Sequence, residues 1–146
     1  MKPGVAVALT AGAGGLVALQ APINSMLGKA AGTFAAASIS FTIGTIILVA
    51  ITLVSGAKAD LGAAGELPWY YLTGGLLGAA YVTTVLVSVR TLGAGGVTAA
   101  TIAGQLTTSV VLDKLGVLGL PEKPLTVARV VGVALLAAGV FLIVRD

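Results

Sequence analysis

GVAVALTAGAGGLVALQAPINSML, residues 4–27, runs from Gly4 to Leu27 without one charged side chain. As a helix rising about 1.5 Å per residue it covers about 36 Å, more than the roughly 30 Å of a bilayer's hydrocarbon core. The stretch is therefore expected to cross a membrane. Outward from it, similar apolar runs follow at residues 34–55, 68–89, 97–112 and 125–144, the fourth short or partly re-entrant. Eight basic and five acidic residues are all the charge in 146 residues, and most of them fall between the runs or at their ends. With 58% hydrophobic and 9% charged residues and a mean hydropathy of +1.11, the chain is far from the roughly 25% charge of soluble domains. The expectation is an all-α integral membrane protein: a bundle of five transmembrane helices forming a single transmembrane domain over residues 1–146, with the lipid bilayer as its first partner.

Lys2 ahead of an apolar run imitates a secretory leader. No small-x-small cleavage site leading into a polar chain follows, so the segment is expected to stay as a span.

The breaks between runs carry turn chemistry. Gly28-Lys29-Ala30-Ala31-Gly32 is a short helix-to-helix turn, and residues 56–67, with Lys58, Asp60 and Glu66, are the longest polar loop. Pro68 suits a first helical turn, and Trp69, Tyr70 and Tyr71 suit the headgroup level. Gly93, Gly95 and Gly96 divide the third run from the fourth.

The composition excludes much chemistry. Cysteine and histidine are absent, which removes disulfides, thiol catalysis, imidazole relays and the usual zinc sites. No metal or other cofactor is expected. The basic residues are scattered singly, so the net charge of +3 builds no patch for nucleic acid. No nucleophile and base pair stands at membrane depth, so an enzyme is not expected.

An odd number of spans puts the termini on opposite sides. Lys2, Lys58, Lys114, Lys123 and Arg129 then share one side, and Lys29, Arg90 and Arg145 the other. The positive-inside rule favours a cytoplasmic amino terminus, but so small a bias also allows insertion both ways round. Many transporters are built from halves of inverted topology, and a five-span unit supplies one half.

Polar residues inside the spans are the candidates for function. Gln20 and Asn24 share a helix face at i, i+4, with Pro22 between them. Proline removes the bond to the Ala18 carbonyl, so a kink is expected there. Gln105, midway along the fourth run, stands in a stripe with Thr98, Thr101 and Thr108. Ser38, Thr42 and Thr45 recur at i, i+4, i+7. Tyr81, Thr84 and Ser88 continue the face of Gly74 and Gly78. Each set has two readings: interhelical packing and hydrogen bonding, or the lining of a cavity. Arg90 and Asp113 are either snorkelling or solvated ends, or electrostatic mouths of a pathway. Gly132 and Gly139 mark the last run as a packing or dimer face.

The segments Gln20-Ala21-Pro22-Ile23-Asn24-Ser25-Met26-Leu27-Gly28, Ser40-Phe41-Thr42-Ile43-Gly44-Thr45, Gly74-Gly75-Leu76-Leu77-Gly78-Ala79, Ala103-Gly104-Gln105-Leu106 and Leu112-Asp113, with the Arg129 to Gly132 opening of the last run, resemble the YdcZ-like proteins of the drug/metabolite transporter superfamily. The likeness extends over essentially the whole chain. It implies a multi-pass protein of the bacterial cytoplasmic (inner) membrane, half of a ten-helix inverted-repeat transporter, working as an antiparallel homodimer or as a heterodimer with a paralogue, with the last helix in dimer contacts. Small multidrug transporters carry a glutamate in their first span; here that span has no carboxylate, so their proton-coupled mechanism is not expected.

The leading expectation is a secondary carrier or facilitator of a small polar metabolite. Its cavity would be lined by Gln20, Asn24, Ser38, Thr42, Tyr81 and Gln105, with Arg90 and Asp113 at the pathway. The alternatives are a small-ion channel, against which the lack of charged rings argues, and a non-transporting subunit paired with an oppositely oriented paralogue.

Overall fold

The computed structural model describes residues 2–56 and 60–145, so Lys58 lies outside the described residues. The elements are helical: α1 (Pro3–Ala31), α2 (Thr33–Val54), a short α3 (Leu61–Gly65), a 3-10 helix (Trp69–Thr73), α4 (Gly74–Leu115) and α5 (Val127–Arg145). Among the described residues, four helical stretches are long and apolar enough to cross a membrane: α1, α2, the 47 residues of Trp69–Leu115, and α5. Forty-seven helical residues would extend about 70 Å, more than twice a hydrocarbon core. Gly93 interrupts them with φ 66° and ψ 173°, a conformation open almost only to glycine. The arms on either side, residues 74–92 and 94–115, each have a membrane's worth of length. The chain also divides close to this point into two compact units, one ending at Arg90 and the other beginning at Thr91.

In the first unit, α1 and α2 form a hairpin joined by Gly32 alone, at φ 91°. Small residues build its seam. Ala21, Asn24, Ser25 and Gly28 are the buried positions of α1, and Ala36 and Ala37 those of α2. Between helices in lipid there is little hydrophobic drive, so contact is gained where small residues let backbones approach. From α4, Val82, Leu86 and Val89 are buried at helical spacing. Leu86 lies over Gly28, where a Cβ would stand 2.7 Å from its Cδ2. Gly78 meets Phe41, with 3.3 Å from a Cβ to the ring's Cζ, whereas Gly74 faces open space. The small-residue step of this helix thus makes its close contact at one of its two glycines.

α1 is helical throughout, Pro22 included. The proline withholds one hydrogen bond from Ala18 without unwinding the helix, and the unwound residue lies in α4 instead. The polar loop after α2 holds a turn of helix, α3, capped by Asp60, which accepts from the Ala63 N–H at 2.9 Å. Pro68 stands just before the 3-10 helix as its cap residue. Trp69, Tyr70 and Tyr71 are exposed and touch edge to face and in a tilted pair, as interfacial aromatics do.

In the second unit, Gly96 is buried against the Val144 side chain. Thr126 caps α5, its Oγ1 accepting from the Arg129 N–H at 3.4 Å. Gly132 and Gly139 meet nothing within 4 Å. Large apolar side chains are exposed along every long helix, the surface that lipid requires.

Candidate functional site

An open groove of about 600 Å³ lies along the α1–α2 hairpin, its volume within the usual range of small-molecule sites. Its polar walls are Gln20 and Asn24 of α1 and Ser40 of α2, and the rest are aliphatic, from Leu16 and Val17 at one end to Leu27 at the other. Among the described residues no charged side chain lines it. Asn24 and Ser40 stand equally far before and after Gly32 in sequence, about 12 Å along each helix from the turn, so they line the groove at one depth. Gln20 lies a turn further in. Its counterpart on α2 by the same count is Gly44, beside which there is open space.

Asn24 is 6% exposed, lines the groove, and makes no side-chain hydrogen bond among the described residues. The adjacent Ser25 is 5% exposed. Gln20, by contrast, is exposed on the groove's rim. The pair at i, i+4 thus has one member buried and one open.

Ser38 and Thr42 stand elsewhere. At about 100° per residue they fall roughly opposite the face of α2 that buries Ala36 and Ala37, and both are exposed. The groove's hydroxyl on α2 is Ser40, half-buried on the packing face. The stripe of small residues Ala36, Ala37, Ser40 and Gly44 was the signal that could have found it. Tyr81 is half-buried beside Val82 and is not part of the groove wall. Thr84 donates to its own helix, to the Ala80 carbonyl at 2.9 Å.

Arg90 reaches from α4 to the α1–α2 turn, where Nη2 donates to Thr33 Oγ1 at 3.4 Å. Gly28 makes its seat, since a Cβ there would stand 2.9 Å from that nitrogen. The cation also lies at the carboxyl end of α1, which the helix dipole favours.

Gln105 belongs to the second unit, where it is exposed with Thr108, while Thr98 and Thr101 are half-buried. Asp113, near the end of α4, holds an ion-pair cluster. Its Oδ2 lies 3.2 Å from Arg129 Nη1 and 3.8 Å from Lys123 Nζ, and its carbonyl accepts from the Lys123 N–H at 2.8 Å. The Arg129 Nη1 is buried and off the line that a hydrogen bond needs. Lys114 and Glu122 pair at 3.0 Å on the exposed side. Here a carboxylate sits at a helix carboxyl end and a guanidinium at a helix amino end. Each opposes its own helix dipole, and each is neutralised by the other. Loop residues between the runs thus converge in a way their spacing does not display.

Among the described residues no group of acidic, histidine or cysteine side chains could hold a metal ion.

The family model described as "Putative inner membrane exporter, YdcZ" matches residues 5–142. The chain belongs to the YdcZ family of the drug/metabolite transporter superfamily. No curated protein and no solved structure gives a significant match. As a YdcZ-family protein with four helical stretches able to span a bilayer, it is a multi-pass membrane transport protein of the inner membrane and not an enzyme. The groove of this YdcZ-family chain is built on the first two spans, which hold the Gln20 to Gly28 and Ser40 to Thr45 segments.

Proposed function

We propose that the chain is a secondary carrier or facilitator that moves a small hydrogen-bonding metabolite by alternating access, as one half of an inverted pair. The observation that carries this reading is the groove between α1 and α2, with Asn24 buried in its wall and free of any side-chain bond among the described residues. A polar group at membrane depth without a partner is costly, and a carrier's substrate is such a partner in transit. Gln20 and Ser40 complete the contact. Gln105 remains a candidate substrate contact of its own unit, and Tyr81 a flanking one.

In this reading the two arms of α4 cross separately, which makes five spans and sets the termini on opposite sides. The five-to-three division of Lys and Arg then supports insertion in both orientations, and two copies so inserted supply the inverted halves of a ten-helix carrier. The absence of charged side chains from the groove wall among the described residues weighs against an ion channel.

The test is flux. Purified protein in liposomes is offered a panel of labelled metabolites. Saturable uptake at carrier rates, lost in Asn24→Leu, reduced in Ser40→Ala and kept in Thr52→Ala, is the expected result. Binding and flux of no panel member, or conductance far above carrier turnover, contradicts the proposal.

A further inference from the structure

The wall chemistry of the groove narrows what it can hold. A carboxamide offers two donors and two acceptor lone pairs on one planar group. Asn24, a residue only 6% exposed, presents such a group on the groove wall with no side-chain bond among the described residues. Leaving a polar group unpaired in an apolar groove carries a penalty that a correctly shaped ligand removes.

Three classes of head group can be compared against that side chain. A carboxylate offers acceptors alone, which satisfies the Asn24 NH₂ and sets its own oxygens against Oδ1. An ammonium offers donors alone, and leaves the NH₂ unpaired. Either would also bring a charge into a groove that no charged side chain lines among the described residues, where an uncompensated charge is strongly disfavoured. Arg90 is turned to Thr33 over Gly28, and Lys29, nearer in sequence, is exposed and no part of the wall. An uncharged group with a donor beside an acceptor satisfies both edges of Asn24 at once.

The depth profile supplies the rest of the ligand. Asn24 and Ser40 share one level, Gln20 lies a turn deeper at the level of Gly44, and beyond it Leu16, Val17 and Leu19 leave nothing polar. We propose that the groove binds an uncharged amphipathic molecule with a carboxamide-type edge, an amide, lactam or urea, paired to Asn24 and Ser40, its apolar part directed toward Leu16. This rests on the reading of the groove as the substrate site of a carrier and names the substrate's class.

The experiment is photoaffinity labelling of the full chain in lipid nanodiscs with three matched probes: hexanamide, hexanoate and hexylammonium, each carrying an alkyl diazirine, with adducts mapped by mass spectrometry. The amide probe is expected to label residues 16–27 and 39–43 saturably and to be displaced by plain hexanamide. Loss of one paired hydrogen-bonding edge predicts labelling about tenfold weaker for the charged probes and in Asn24→Leu, with a smaller drop in Ser40→Ala. Ser40→Ala stands on the other wall, so the test survives poor folding of the Asn24 variant. Preference for hexanoate or hexylammonium with the same dependence on Asn24 would overturn the substrate class and leave the carrier reading in place. Unsaturable labelling by all three probes, spread over lipid-facing segments, would mean that acyl chains fill the groove, and both readings would fall.

Discussion

Gly28 and Asn24 lie one turn apart on the same face of α1, and the packing of the first unit demands opposite things of them. At Gly28 there is no room: a Cβ would meet the Leu86 Cδ2 at 2.7 Å and the Arg90 Nη2 at 2.9 Å. Arg90 is exposed and can swing away, but Leu86 is 0% exposed and cannot. Gly28→Ala is therefore expected to lower stability by about 1–3 kcal/mol, the usual range for overpacking, as read from thermal unfolding in detergent. At Asn24 there is an amide without a partner. Asn24→Leu should leave the same unfolding transition unchanged or raise it, by up to about 1–3 kcal/mol, because an amide without a bonding partner is removed from an apolar surrounding. A marked drop would reveal a bond that Asn24 makes in the membrane. Gln20 and Asn24 were legible as a pair because amides are rare in so apolar a span. Ser38 and Thr42 were not separable from Ser40, since in lipid both sides of α2 are apolar and periodicity alone does not say which faces inward.

At the scale of elements, the most telling features are the break in α4 and the ion pairs that join α4 to α5. The glycines at 93, 95 and 96 marked the division of runs in the sequence, and one of them, Gly93, takes the non-helical conformation. Gly93→Ala places a Cβ in a region closed to it and should destabilise the protein by about 1–3 kcal/mol. An alanine at Gly95, helical and with open space around it, should have little effect, so the pair of unfolding curves separates backbone strain from packing. Pro22 marked another place where a helix could bend, though not end. A proline costs a helix one hydrogen bond but keeps helical φ, which is why α1 passes through it. The cluster around Asp113 was hidden because it depends on how residues 116–126 fold back, with Gly116, Leu118 and Gly119 at positive φ. Asp113 and Arg129 are 24% and 30% exposed, so their pairing is screened less than that of a surface pair. A double-mutant cycle with Asp113→Asn and Arg129→Gln should give a coupling free energy of about 0.5–3 kcal/mol, whereas Lys114→Gln with Glu122→Gln, both more than half exposed, should couple by less than about 1 kcal/mol.

For the whole molecule, class and location follow from charge scarcity and span length, and both were plain in residues 4–27 before any packing was known. Family membership adds transport. The proposed substrate class needed the hairpin, because the depth match of Asn24 with Ser40 exists only once Gly32 turns the chain. The proposed inverted pair rests on α5, where Gly132 and Gly139 face open space, and on the five-to-three division of basic residues that five spans would give. Insertion of copies both ways round, to supply inverted halves, is the step most open to a direct test. Accessibility labelling of single cysteines placed at residues 2 and 146 tests it in whole cells, and the absence of native cysteine makes it clean. Each position is expected to show both a protected and an exposed population. A single state at each, residue 2 inside and residue 146 outside throughout, would contradict it.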